Sequence, residues 1–373
     1  MASDPLIVAA DYLHQIPFAV SALADARTTA GEWRMVLDWL ADCVILLLIL
    51  KSRLLPWATR ALAPRLSRPW LLSPFLAVLF ALILEVARAL AASMAGLAWP
   101  SGASPPAALL NAVPLRALGD VVLALVVLTA AGRWPRGWWI GIAALAALLS
   151  FIVTLGAPML LPPAARGDRP VVTPQAAPLL AFARKGGLDA HALYVFDGAD
   201  PTDVDAEGLG PIAHLAVSRA ALDAPQPETY AALGHLLGHH RHKDLWSMSL
   251  LLSALAAVVL YLGARLTAPL AHRLGEGGVS GPSDPKALPV LGLILWLYMA
   301  TAGVTFDAFD RWINDRADAY ALSLTHDPKG MARWLIHAET KSKADPAWPE
   351  MVLFYDHPPL QARLERAFKT PAP

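Results

Sequence analysis

The stretch Ala232-Leu233-Gly234-His235-Leu236-Leu237-Gly238-His239-His240-Arg241-His242-Lys243-Asp244 decides the reading of this 373-residue chain. His235 and His239 are four apart. A helix has 3.6 residues per turn, so the two stack on one face. That is the spacing with which two imidazoles grip one zinc ion. The spacing alone leaves a second reading open, an ordinary polar helix that carries four histidines.

Composition narrows the setting. Hydrophobic types make up 56% of the chain and charged types 16%, against about 25% charged in soluble domains. Much of the chain therefore belongs in lipid. Thirty basic and thirty acidic residues cancel, so no global field favours nucleic acid, and no nucleic-acid partner is expected. The single cysteine, Cys43, excludes a cysteine-built zinc site and an internal disulfide.

A bilayer core needs about 20 mostly apolar residues in a helix. Six stretches qualify or nearly so: 33–50, 70–99, 115–132, 138–161, 245–266 and 288–306. Trp33, Trp70, Trp99 and Trp138 stand at their ends, where amphipathic rings favour the interface. The cluster of Trp134, Trp138 and Trp139 reads as an interface belt. Residues 1–35 hold Asp4, Asp11, Asp25 and Glu32, unlike the basic start of a cleavable signal. They read as an amphipathic or irregular lead-in.

Short loops set orientation through their basic residues. Lys51, Arg53, Arg60 and Arg65, then Arg133 and Arg136, then Arg265, Arg273 and Lys286 all fall on one side, which should be cytoplasmic. Segment 163–244 and the tail after 307 then face the other side, the periplasm in a bacterial inner membrane. Arg241, Lys243, Arg311 and Arg316 lie near span ends on that outer side and run against the bias. Charged residues also occur within spans: Asp38, Asp42, Glu85, Arg88 and Asp120. These line a polar chamber or form ion pairs between helices.

Two segments are more polar. In 163–244 a short helix over 178–187, a strand over 192–196, a turn-rich loop over 197–210 and a strand over 211–217 are expected. His214 in that second strand reads as an edge or core histidine. A helix from Glu228 then runs through His242 and on into the fifth span. Segment 307–373 reads as three helices, interrupted at Asp327-Pro328 and around 345–348. The domain plan is a lead-in (1–35), four spans (36–162), a small α+β domain (163–244), two spans (245–306) and terminal helices (307–373).

Two further motifs follow the histidines. They are Asn314-Asp315-Arg316-Ala317-Asp318 and His357-Pro358-Pro359-Leu360-Gln361-Ala362-Arg363. With the His235 helix, in this order around two spans, they resemble the type I CAAX prenyl protease family. Its members are integral-membrane zinc peptidases with H-E-x-x-H, E-x-x-A-D and H-P-x-L-x-x-R motifs. The resemblance implies an α-helical polytopic membrane protein of about six spans with a small gluzincin-like α+β zinc-peptidase domain. It makes His235 and His239 metal ligands and Asn314 the occupant of the third ligand position. Asp318 matches an orienting aspartate, Arg363 its supporting arginine, and His357 a histidine beside the metal. Asp205-Ala206 stands, loosely, where the family receives its peptide on an edge strand.

Two departures bear on activity. The family's catalytic glutamate follows the first histidine, and here that position is Leu236. Leucine cannot carry a proton, and such transfer is worth about 10²–10⁴-fold in rate. Asn314 replaces a carboxylate ligand with a neutral amide, so zinc binding is expected to be weakened or absent. The leading expectation is a proteolytically inactive homologue that binds peptides, membrane proteins or a partner protease. A working metallopeptidase would need a relocated base, with Asp315, Asp244 and His240 as the candidates. A transporter or channel using the charged span residues is a third reading; no inverted repeat supports it. If the host is bacterial, no prenylated substrate is implied.

Overall fold

The computed structural model describes residues 5–66, 69–98, 106–160, 167–171, 174–208, 210–223, 225–276, 278–339 and 343–369. Trp99 and the side chain of Trp70 lie outside the described residues. The chain is mostly helical, and in chain order the elements are α1 (Pro5–Leu13), α2 (Phe18–Lys51), α3 (Leu54–Leu62), α4 (Pro69–Ala98), α5 (Pro106–Arg133), α6 (Trp138–Leu160), β1 (Arg169–Pro170), α7 (Ala176–Lys185), β2 (Ala192–Phe196), β3 (Val204–Glu207), β4 (His214–Ser218), α8 (Arg219–Asp223), α9 (Pro227–His242), α10 (Asp244–Arg273), α11 (Leu288–Thr325), α12 (Pro328–Glu339), α13 (Trp348–Phe354) and α14 (Leu360–Lys369).

Among the described residues, five helical stretches are long and apolar enough to cross a membrane: Leu71–Met94, Asn111–Arg133, Trp138–Gly156, Asp244–Arg273 and Pro285–Thr325. The sequence reading expected six. Segment 33–50 is helical within α2, but Arg34, Asp38 and Asp42 hold it out of this set. The protein is a polytopic helical membrane protein with a small mixed sheet.

Two compact units divide the chain. One comprises Met1–Thr28, Leu149–Leu251 and Val304–Pro373; the other comprises Thr29–Leu148 and Leu252–Gly303. In the first unit a four-stranded sheet has the order β1-β2-β4-β3. β2 and β4 run parallel, with Ala192 opposite His214, and β3 is antiparallel to β4, with Ala206 opposite Leu215. β3 corrects the expected loop over 197–210. Leu179, Leu193, Leu215, Leu233 and Leu237 pack between sheet and helices. His214 is buried, with Nδ1 2.9 Å from the Ile212 carbonyl oxygen.

The described residues of the lead-in are mostly helical. α1 buries Ala9 in a cluster with Ala231, Met331 and Leu364, and Tyr12 stacks on Phe368 of α14 at 5.3 Å. A further correction concerns α9. It does not continue into the fifth span. Lys243 adopts φ 57, a left-handed conformation, and closes α9 before α10 begins at Asp244. At its start, Pro227 fills the first turn, and buried Thr229 accepts a hydrogen bond from the Gln226 N–H at 3.0 Å and donates to Pro201 O at 2.7 Å.

Glycines on α9 bring the helices that carry the motifs together. A Cβ on Gly238 would stand 2.7 Å from Ala317 Cα, and one on Gly234 would stand 3.2 Å from Ala321 Cα. The pairs 234/238 and 317/321 have the same four-residue spacing, so two small-residue stripes meet along the crossing of α9 and α11. Across this close approach His235 of α9 meets Asp318 of α11, with Asn314 one turn before Asp318.

In the second unit, Leu46, Leu76, Phe80, Leu84, Leu128 and Ile294 form the core. Trp138, expected in an interface belt, is instead buried against Val127 and Ala131; Trp134 is exposed.

Candidate metal centre

His235 and His239 lie on one face of α9, with their Nε2 atoms 3.1 Å apart. Each ring is fixed from behind. His235 Nδ1 is 2.8 Å from Asp318 Oδ1, and His239 Nδ1 is 2.9 Å from Asp244 Oδ2. A carboxylate only accepts, so both Nδ1 atoms carry the proton. Both Nε2 atoms then present lone pairs to one another, which is repulsive unless a proton or a cation lies between them. Two nitrogens on one tetrahedral zinc are about 3.3 Å apart, from metal–nitrogen bonds of about 2.0–2.1 Å. Carboxylate-backed imidazoles converging at this distance are the arrangement that zinc sites use.

The left-handed Lys243 has a direct consequence here. It folds Asp244 back onto His239, only five residues upstream, and Arg316 grips the other oxygen of Asp244. Asp318 is buried, and Arg363 holds it through Nε and Nη2, both at 2.7 Å. Arg363 also reaches Glu339 at 2.7 Å. Burial pushes the His235 pKa down to about 4, opposed by its bond to Asp318. A proton is therefore disfavoured on His235 near neutral pH, and its lone pair is free for a metal.

The third position is different. Asn314 is buried on α11, and its Nδ2 donates to the Asp310 carbonyl oxygen at 2.9 Å. Its Oδ1 is the atom left to act as a ligand, and it is neutral. Leu236 is half-buried beside the pair. The imidazole pair fits a zinc ion; the third donor fits it poorly.

Residues 177–370, more than half of the chain, match the family model for peptidase family M48. The chain belongs to peptidase family M48. It is 29% identical to the protease HtpX homolog of Limosilactobacillus fermentum, over 38% of this chain and 54% of that protein. Identity to the Aeropyrum pernix homolog is 32%, over 42% of this chain and 49% of the relative. The Acidiphilium cryptum homolog is 28% identical, over 50% and 69%. The chain thus spans about half the length of the first two relatives. The crystal structure of S. mikatae Ste24p aligns with a TM-score of 0.49 and 17% identity, over 70% of this chain and 64% of that one.

The acids near the M48 motifs are mostly committed. Asp315 pairs with Arg366, Asp244 with His239 and Arg316, and Asp318 with His235 and Arg363. His240, the third candidate base, has Nε2 2.8 Å from the Ala206 carbonyl oxygen. Asp310 was not anticipated. It lies one turn before Asn314, a spacing that would have placed it on the same face. Its carboxylate, that of Asp356 and the His357 ring offer ligand atoms within 4.8 Å of one another. His357, Asp356, His239 and Asp244 are the charges that act on Asp310. His357 Nδ1 bonds Asp356 at 2.9 Å, and this raises the His357 pKa against the effect of burial. Arg311 pins the segment before His357 by donating to Met351 O and Tyr355 O.

Asp205 and Ala206 lie on β3, at the edge of the sheet. Ser218 N–H donates to Asp203 O. In an antiparallel ladder the pairs alternate, so Asp205 bonds inward to β4 while the Ala206 N–H and C=O face outward. Those outward groups are already used. His240 takes the carbonyl, and Asp205 Oδ1 accepts the N–H at 3.0 Å.

In the second unit, Arg88 draws three of the charged span residues together. It binds both Asp42 oxygens at 2.8 and 2.9 Å and Glu85 at 2.7 Å, and it lies 3.8 Å from Asp120. Asp38 stands apart, paired with Arg34 at 3.7 Å.

Proposed function

We propose that this chain is a non-proteolytic membrane homologue of the M48 metallopeptidases, which holds a zinc ion loosely and acts by binding peptides, membrane proteins or a partner protease. The observation that carries this reading is an intact imidazole clamp with an aliphatic side chain, Leu236, where the family keeps its general base. His235, His239 and Asn314 would hold the ion. In the family such an ion polarises a peptide carbonyl and its bound water; here Leu236 can take no proton from that water. His357, whose pKa its bond to Asp356 raises, would donate a hydrogen bond to a bound carbonyl. Asp318, held by Arg363, keeps His235 in the ligand tautomer. The self-bonded Ala206 edge supports the same reading, because a substrate strand would find its backbone partners taken. The loop charges favour a bacterial inner membrane with this unit on the periplasmic side.

A second reading has its own observation. Asp310 has no salt bridge within 4.0 Å among the described residues and faces His357 near the clamp, so it could serve as a relocated ligand or base in a working peptidase. The deciding experiment measures metal content and cleavage of an unfolded reporter protein by the purified chain. We expect sub-stoichiometric zinc and no cleavage from the parent, and zinc-dependent cleavage from the Leu236→Glu, Asn314→Glu double variant. Cleavage by the parent that Asp310→Asn abolishes would establish the second reading instead.

A further inference from the structure

The second unit holds a half-open cavity of about 350 Å³ that the metal centre does not use. Its volume lies in the range of small-molecule sites. Leu123, Val127, Leu291 and Trp296 contribute to a mostly apolar wall, and Asp42, Arg88 and Asp120 form the polar part. Trp296 is fixed in place, stacked on Trp39 at 4.2 Å and donating from Nε1 to Trp39 O at 2.7 Å.

Charge is unbalanced at the polar part. Asp42, Glu85 and Asp120 gather around one guanidinium. Arg88 satisfies Asp42 in a bidentate pair and Glu85 end-on. Asp120 Oδ2 is buried, accepts no hydrogen bond among the described residues, and has Arg88 Nη1 only at 3.8 Å. Glu85 draws on the same guanidinium at 2.7 Å, so Asp120 is left with the weakest share of it. Three carboxyl groups around one guanidinium leave the cluster short of positive charge. Charged groups on spanning helices are costly, and they persist where they bind something or face a cavity.

We propose that this cavity binds a single-chain amphiphilic amine, with the ammonium group at Asp120 and the alkyl chain along Val127, Leu291 and Trp296. An ammonium group supplies positive charge that the cluster lacks. A bare metal ion would neutralise the acid but leave the apolar volume unfilled. A neutral lipid chain would fill the volume and leave the charge.

The test uses the full chain in phosphatidylcholine nanodiscs, with dodecylamine as probe and dodecanol and dodecanoate as matched controls. Binding is counted by native mass spectrometry and followed by thermal unfolding. One dodecylamine should bind, at least ~10-fold more tightly than either control, as a charge-assisted contact implies. Asp120→Asn should remove that preference. Val127→Trp, which fills the cavity without touching the charges, should prevent binding and remains decisive if Asp120→Asn does not fold. Equal binding of amine and alcohol, dodecylamine binding unaffected by Val127→Trp, or the same stabilisation by sodium or potassium chloride alone would overturn the proposal.

Discussion

His240 Nε2 lies 2.8 Å from the carbonyl oxygen of Ala206, so the helix that carries the imidazole pair closes the edge of its own sheet. An edge strand with outward-facing backbone groups is a template for an added strand. Here a side chain takes one of those groups first. His240→Ala should free the carbonyl and let an extended peptide pair with β3. One backbone hydrogen bond is worth about 0.5–1.5 kcal/mol, so affinity for an extended, uncharged hexapeptide should rise roughly 2- to 10-fold. Fluorescence anisotropy with the labelled peptide checks this. An unchanged affinity would mean that the edge does not receive peptides.

Zinc affinity should follow the groups behind the rings as well as the rings themselves. Asp244 orients His239, and Arg316 holds Asp244. Loss of such an outer partner typically reduces metal affinity about 10–100-fold. Asp244→Asn should therefore weaken zinc binding by that factor while leaving both histidines present. Asn314→Glu should strengthen it, because a carboxylate replaces a neutral oxygen. Competition with a chelating dye, with the protein purified without added zinc, reads both changes.

The crossing of α9 and α11 leaves no room for a methyl group at position 238, where a new Cβ would lie 2.7 Å from Ala317 Cα and 3.0 Å from its carbonyl oxygen. Both atoms are backbone and cannot rotate away. Gly238→Ala should force the helices apart at an overpacking penalty of about 1–3 kcal/mol. It should also separate the clamp from Asn314, so the melting temperature and the zinc affinity should fall together. Gly275→Ala, in open space but at φ 87, should lower stability without touching zinc binding.

The sequence revealed the clamp because its signal is local. Helical spacing puts His235 over His239 whatever surrounds them. The Arg363–Asp318–His235 chain was reached through the resemblance, since nothing local joins residues so far apart in sequence. Two features were not legible. The left-handed turn at Lys243 has no glycine to announce it, so α9 and α10 read as one helix. The hydrogen bond from His240 to Ala206 depends on the register of β3, and Val204–Glu207 is too short and too acidic to announce a strand. In the other unit Trp138 misled for a physical reason. A tryptophan at the end of an apolar run suits both an interface and a buried wall, and only the packing of Val127 and Ala131 decides between them.

Burial gives the metal-free protein a defined response to acid. The folded His235 pKa, about 4, lies below its ordinary value of 6.5. As pH falls below 6.5 the unfolded chain takes up the proton first, so stability declines between pH 6.5 and pH 4, by up to about 1.4 kcal/mol per unit from this group. Unfolding measured across that window with a chelator present should slope in this direction. His235→Gln should flatten the slope, and a slope of opposite sign would contradict the buried, neutral ring.

Arg363 and Asp318 form the pair whose two halves should behave least alike when altered. Both are buried, and Asp318 serves Arg363 and His235 at once. Arg363→Met strands a buried carboxylate, and breaking such a pair costs about 3–5 kcal/mol. Replacing both partners with apolar residues of similar size is often near neutral. The double variant Arg363→Met, Asp318→Leu should therefore melt above the single variant, short of the parent only by the cost of the unpaired His235 N–H and Glu339. Yet it removes the acceptor that keeps the His235 proton on Nδ1. The double variant should be stable and still bind zinc more weakly than the parent, which separates the structural role of the ion pair from its role in presenting the imidazole. If stability and zinc affinity recovered together, Asp318 would be a packing residue and not an orienting one.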